Sequence, residues 1–426
     1  MSRRLYSLAW WLALPLVLAR LWWRGRKEPG YRRHISERLG FSGPIKPPTG
    51  PVIWVHAVSV GETRAAEPLV DALLAAYPDH TLLITHMTAT GRETGQALFS
   101  KHGDRFRQAF LPYDLGPFLA RFLKAYSPRL CILMETEVWP NLIAQCRAHQ
   151  VPVVLLNARL SAKSAAKAQR FAGLMQEAAA GIALAAAQTD ADAQRLQQVG
   201  VPRVEVTGSI KFDVVPPAEK IQLGLQWRKQ FGERPVLLCA STREGEEALV
   251  LDALKDTDLQ DTLLLIVPRH PQRFDEVAQM VSVRGLSLLR RSALSDKEPL
   301  AADVQVVLGN SMGEMFAYYA ACDLAYIGGS LLPLGGQNLI EACALGKPVL
   351  VGPHTFNFAL ATEEAIHAGA ASRVADAKSM LHEALRLIGD KEERLARSAK
   401  ASTYAQQHRG ATSRTLELLK EMLGRA

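Results

Sequence analysis

Short apolar runs alternate with helix-like stretches along most of the chain. In the first half the runs Val52–His56, Thr81–Thr85, Leu130–Met134, Val151–Leu156 and 182–186 have strand length. Their apolarity is nearly continuous rather than alternating, which predicts strands buried on both faces of a parallel sheet. The stretches between them, Arg64–Ala76, Leu115–Ala125, Val138–His149, Ser164–Ala179 and Ala191–Val199, read as helices. The pattern stops at Val214-Val215-Pro216-Pro217, where two prolines end any regular element. It restarts at Pro235, with strands expected over Val236–Ala240, Thr262–Val267, Val304–Leu308, Leu324–Ile327 and Pro348–Val351. This predicts an α/β chain with two doubly wound, Rossmann-like domains facing across a cleft. The expected divisions are residues 29–213, a linker over 214–218, residues 219–390, and charged C-terminal helices over 391–426.

The amino terminus breaks this pattern. Leu5 to Ala19 is apolar apart from Ser7, and Trp10, Trp11, Trp22 and Trp23 lie within or just beyond it. Fifteen helical residues span about 22 Å, short of a hydrocarbon core of about 30 Å. Extension through Trp23 requires Arg20 to snorkel and Pro15 to be accommodated. Arg20-Leu21-Trp22-Trp23 succeeds the run where a signal peptide would carry small residues. Residues 1–28 are therefore expected to form an uncleaved membrane anchor with a basic juxtamembrane segment, either spanning or seated in the interface. A helix docked on the protein itself is the competing reading.

Charge supports the first interpretation. The chain carries +8 over 426 residues, and the first 38 hold nine cations against Glu28 and Glu37, which accounts for +7. Basicity this local suits anionic headgroups and a cytoplasmic location for the first α/β domain. It does not describe a nucleic-acid-coating surface. Five scattered cysteines (131, 146, 239, 322 and 343) lack metal-ligand spacing and suggest buried thiols in a reducing compartment.

The stretch with most chemical content is Trp54-Val55-His56-Ala57-Val58-Ser59-Val60-Gly61-Glu62-Thr63. Strand, tight loop and helix in that order place Glu62 at the carboxyl end of a sheet, where open α/β folds hold ligands. Thr63 is the expected N-cap. A carboxylate there can serve as general base toward a hydroxyl, or merely complement the helix dipole. Glu135 and Glu137 come after another strand, and two carboxylates at a strand end are costly unless solvated, paired or functional. Arg159 and Lys211 occupy similar loops, with sheet-edge salt bridging as the alternative role.

In the second half, small-residue loops succeed consecutive strands: 240–245, 267–271, 309–314 and 328–330, with Gly335-Gly336-Gln337-Asn338-Leu339-Ile340-Glu341 opening a helix. Such loops and helix starts suit anions, and Arg269 can grip phosphate or carboxylate. Glu314 and Glu341 are candidate acceptors for ribose hydroxyls. There is no Walker-type phosphate loop, no Gly-x-Gly-x-x-Gly after the first strand of either half, and no Gly-x-Ser-x-Gly elbow.

These pieces, in order, resemble the membrane-associated Kdo (3-deoxy-D-manno-octulosonic acid) transferases that modify the lipid A precursor. The resemblance rests on the N-terminal apolar segment, the motifs at 56–62, 134–141, 157–161, 211–213 and 268–271, Gly313-Glu314 and Asn338-Leu339-Ile340-Glu341. It implies a GT-B fold, with acceptor bound by the first domain and CMP-Kdo by the second. It also implies inverting transfer to the tetraacylated precursor lipid IVA at the inner membrane, without cofactor or bound metal. Glu62 would be the base, with Glu137, Arg159 and Lys211 on the acceptor side. Arg269, His270, Gly313, Glu314, Asn338 and Glu341 would fall in the CMP region. Thr85-His86-Met87-Thr88-Ala89-Thr90 departs from the threonine run expected there. A sugar-nucleotide epimerase and a non-catalytic membrane tether are the alternatives.

Overall fold

The computed structural model describes residues 1–26, 28–41, 48, 50–295 and 298–424. The chain forms two compact units, Met1–Asp213 with Arg409–Ala426, and Val214–His408.

The first unit holds a seven-stranded sheet. Its strands are β1 (Val52–His56), β2 (Thr81–His86), β3 (Phe106–Phe110), β4 (Pro128–Met134), β5 (Val153–Ala158), β6 (Leu184–Ala187) and β7 (Val204–Val206). They run parallel in the order β3-β2-β1-β4-β5-β6-β7. The chain starts mid-sheet, winds out to β3, and returns beside β1, so winding reverses between β1 and β4. Every residue of β1 is buried. Trp54 packs on Phe122 with ring centroids 4.9 Å apart, while its indole N–H donates to Thr85 Oγ1 at 2.8 Å. Burying one such apolar side chain contributes roughly 1.5–3 kcal/mol.

The second unit repeats the plan with β8 (Val236–Thr242), β9 (Leu263–Pro268), β10 (Leu288–Arg290), β11 (Val306–Leu308), β12 (Leu324–Ile327), β13 (Val349–Val351) and β14 (Ala371–Arg373). Their order is β10-β11-β9-β8-β12-β13-β14, again parallel, with the reversal between β8 and β12.

Several elements differ from expectation. The helix after β1 runs Val60–Ala76 and its N-cap is Ser59, not Thr63. Thr63 is buried and its hydroxyl donates to the Ser59 carbonyl at 2.8 Å. The helix expected over 164–179 is two, Ala162–Gln169 and Ala172–Ala179. The segment 391–426 divides between the units instead of standing apart. Helix Lys391–Gln407 belongs to the second. Helix Ala411–Leu423 returns to the first, where Asp213 accepts the N–H groups of Gly410 and Thr412. Ala411, Leu419 and Leu423 then complete the apolar layer containing Leu69 and Leu73.

Helix Arg3–Arg24 lies along the first unit. Trp10, Leu14, Val17 and Leu18 pack on Tyr113, Leu115 and Phe118, and Ser7 donates to Asn141 Oδ1 at 3.1 Å. Its other side is apolar and open: Leu12 is 72% and Leu16 74% exposed.

Candidate active site

Both switch points carry carboxylates. Glu62 sits in the first turn of the helix after β1, and Glu135 and Glu137 lie in the loop after the adjacent β4. One Glu62 oxygen, Oε2, accepts the Val58 N–H at 2.5 Å. Burial, then the charges of Glu135 and Glu137, raises the Glu62 carboxyl to about 7, despite the opposing Val58 bond. Glu137 is raised too, by burial and by Glu135. A carboxyl poised near neutrality at a half-buried helix start can exchange a proton at physiological pH.

Cations reach this cluster from the next strands. Glu135 adopts a left-handed backbone, φ 57°, and its carboxylate pairs with Lys211 Nζ at 2.8 Å. Its carbonyl accepts the Arg159 N–H at 3.3 Å, bringing the loop after β5 alongside. Lys211 lies on the short turn Ile210–Asp213. That turn is tethered by buried Asn157, whose Oδ1 accepts the Ile210 N–H at 3.2 Å. Thus Glu62, Glu137, Arg159 and Lys211, separated widely in sequence, meet at one sheet edge together with Glu135, the carboxylate that Lys211 pairs.

On the second unit, Arg269 and His270 occupy the loop after β9, where the Arg269 N–H donates to the Thr242 carbonyl at 2.9 Å. Loss of solvent and the charges of Arg243, Arg269 and Arg273 lower the His270 pKa. Arg243, Arg269 and Arg273 gather positive charge around this loop, with Arg273 paired to Glu247 and Glu276, each at 3.3 Å. Glu314 is held by Arg291 Nη2 at 2.8 Å, and also by Ser311. The preceding Gly313 is left-handed, φ 75°. Asn338 Nδ2 donates to Glu341 at 3.1 Å, and its Oδ1 takes the Ile340 N–H at 3.0 Å, fixing the start of the next helix.

Sequence reasoning missed Glu246. This buried carboxylate opens the helix after β8 and accepts four hydrogen bonds: Tyr326 Oη (2.7 Å), Leu331 N (3.0 Å), Gly329 N (2.5 Å) and Arg243 N (2.9 Å). It ties the loops after β8 and β12 together. Gly328 permits their approach, since a Cβ there would fall 2.6 Å from the Ser241 carbonyl oxygen. The available signal was Glu246-Glu247 directly after a left-handed Gly245 at the helix start.

Two Rossmann-like units with ligand-type loops at their switch points define a glycosyltransferase fold of the GT-B class. Solved structures agree on the fold. A glycosyltransferase from Rickettsia africae ESF-5 superposes with a TM-score of 0.58 at 13% identity over 88% of this chain and 100% of that one. Anabaena Alr3699/HepE in complex with UDP gives 0.57 at 16% identity with the same coverages.

Sequence comparison narrows the class. Residues 33–214 match the family model for 3-deoxy-D-manno-octulosonic-acid transferase (kdotransferase). The 3-deoxy-D-manno-octulosonic acid transferases of Bordetella pertussis and Haemophilus influenzae are 46% and 36% identical, each over 100% of both chains. The chain belongs to the Kdo transferase family.

Proposed function

We propose that the protein transfers Kdo from CMP-Kdo to a hydroxyl of the tetraacylated lipid A precursor, lipid IVA, at the cytoplasmic face of the inner membrane. The observation that carries this reading is the Glu62 carboxyl, raised to about 7 at the switch point of the first sheet. Glu62 takes the proton of the acceptor hydroxyl. The freed oxygen forms a bond to the anomeric carbon of Kdo, and the bond from that carbon to the CMP phosphate oxygen breaks, with its electron pair leaving on CMP. Attack opposite the leaving group inverts the centre. Arg269 and neighbouring loop N–H groups stabilise the phosphate, while Arg159 and Lys211 serve the anionic acceptor. Base and electrostatic stabilisation both come from the chain, so no cofactor enters.

The exposed side of helix Arg3–Arg24 supports membrane attachment. Its opposite side is committed to Tyr113, Leu115 and Phe118, which favours lying in the interface over crossing the bilayer. Positive charge beside it would hold anionic headgroups near the acceptor-binding unit.

Incubation with CMP-Kdo and lipid A precursor, and then mass spectrometry of the lipid, tests the reading. A Kdo-bearing lipid is expected. CMP release without a glycosylated lipid points to the epimerase alternative, and inertness toward both substrates to a tether.

A further inference from the structure

Beneath the helix start that carries Glu62 lies an imidazole with no part in the chemistry above. His86 ends β2 and is fully buried. Its ring occupies a slot left by two glycines one turn apart on helix Ala89–Phe99. A Cβ on Gly95 would lie 2.5 Å from Nε2, and one on Gly91 3.5 Å from Nδ1. Nδ1 is 3.0 Å from the Ala57 carbonyl oxygen. A carbonyl only accepts, so Nδ1 carries the proton. Burial, helped by the Arg92 charge, lowers the His86 pKa to about 4 against the raising effect of the Ala57 bond, so the ring is neutral at pH 7.

The Ala57 carbonyl and the Val58 N–H belong to one peptide group, and that N–H is the donor to Glu62 Oε2. His86 Nδ1–H, the Ala57–Val58 peptide and the Glu62 carboxylate therefore form an unbroken hydrogen-bonded relay. The next carbonyl, that of Val58, is pinned by the Met87 N–H at 3.3 Å and the Thr88 hydroxyl at 3.2 Å. Nδ1 also lies 3.4 Å from Thr63 Oγ1, the residue after Glu62, so the ring is tied to the start of that helix as well as to the peptide.

We propose that His86 is a positioning residue for sugar transfer: through the Ala57–Val58 peptide it fixes one oxygen of Glu62 and leaves the other for the acceptor hydroxyl. The proposal rests on the reading of Glu62 as the base. Donation to the carbonyl polarises the peptide and strengthens its N–H bond to Glu62 by roughly 10–30%. Removing His86 loosens the carboxylate and weakens a bond that favours its ionised form. The other titratable and charged groups facing this region are Glu135 and Glu137 toward Glu62, Lys211 on Glu135, and neutral His56 and cationic Arg92 toward His86. All stay in place when His86 is replaced.

The test compares transfer rates against pH for the parent, His86→Ala, His86→Asn and His86→Gln, each also combined with Glu62→Gln. An asparagine amide reaches the position of Nδ1, and a glutamine amide that of Nε2. His86→Ala is expected to lower kcat about 10-fold, with KM for both substrates nearly unchanged. The acid limb of its profile should move up by about 0.1–0.7 pH unit. Asn should restore most of kcat and Gln should not, and no His86 substitution should cost anything further in the Glu62→Gln background. Equal losses in both backgrounds, or Gln matching Asn, would reduce His86 to packing. If His86→Ala does not fold, the Asn and Gln variants decide by the same criterion. Undiminished turnover of Glu62→Gln alone would instead sink the base assignment, whatever the His86 variants do.

Discussion

Replacing Glu62 with glutamine should slow the protein severely and, above neutral pH, make it more stable. The shape and the Val58 contact are retained, because the glutamine oxygen can accept the same N–H, but the proton-accepting oxygen and the charge are gone. Turnover should fall by roughly 10²–10⁴, as for loss of a general base. The stability effect arises from the raised carboxyl, about 7 in the folded protein against an ordinary 4.5. Between those values the folded state binds more protons than the unfolded one, so stability falls as pH rises through the window. Below about 4.5 the group costs nothing; above 7 the full penalty applies, about 3 kcal/mol at ~1.4 kcal/mol per unit. Glutamine escapes it. Denaturant unfolding of both forms at pH 5 and pH 8 should show their stability difference grow by up to about 3 kcal/mol in favour of Glu62→Gln. In the parent, transfer should rise with pH through about 7 as the base ionises. A variant less stable at pH 8 than at pH 5 relative to the parent, or one with near-parental turnover, would refute the argument from burial and neighbouring carboxylates.

Other outcomes are equally direct. Arg269→Ala and Glu341→Ala should each weaken calorimetric binding of CMP by roughly 10- to 150-fold, the loss of one charge-assisted hydrogen bond, whereas Arg159→Ala should spare CMP binding and impair use of the lipid. Lys211→Met leaves the Glu135 charge unpaired beside Glu62, so the acid limb of the transfer profile should move to higher pH. Leu12→Gln with Leu16→Gln, on the open side of the first helix, should lower partition onto anionic vesicles by at least about 10-fold and leave the melting temperature unchanged; unaltered binding would place the membrane contact elsewhere. Glu246→Ala strips four donors of their partner and should cost at least about 3 kcal/mol in unfolding of the second unit.

The central strands were legible and the outer ones were not, for one physical reason. β3, β7, β10 and β14 escaped the apolar-run criterion, and they are the four edges of the two sheets. An edge strand has neighbours on one side only, so Arg107 and Gln108, Glu205, Arg290, and Ser372 with Arg373 are tolerated there. The candidate site was legible where motifs come directly after strands, as for Glu62 and Arg269. It was not legible where a contact joins distant segments. Nothing in local pattern says that Lys211 pairs with Glu135 rather than Glu137, since the left-handed turn at Glu135 sets which carboxylate faces it. His86 stood out only as a departure from threonine, and its slot needs two glycines whose spacing means nothing until helix Ala89–Phe99 packs on β2.

Glu62 and Glu246 pose the same problem with opposite solutions. Each comes after the first strand of its sheet, at the switch point, in the first turn of the next helix. Each is a carboxylate drawn out of water, which is costly unless hydrogen bonds replace the lost solvent. Glu246 takes four, three of them from backbone N–H groups, and both of its oxygens are used. Such a group has nothing left to offer a substrate, and it serves as a rivet between loops. The Glu62 carboxylate accepts the Val58 N–H on one oxygen, and the Ser59 backbone also favours its ionised form, a weaker supply of donors than Glu246 receives. The carboxylate sits in a site crowded by Glu135 and Glu137, where burial and like charge favour its taking a proton. The number of donors supplied at equivalent positions thus separates a structural carboxylate from a basic one. A substitution adding a further donor to Glu62 should lower its pKa and its turnover together, and if turnover rose instead, under-satisfaction would not be the source of its reactivity.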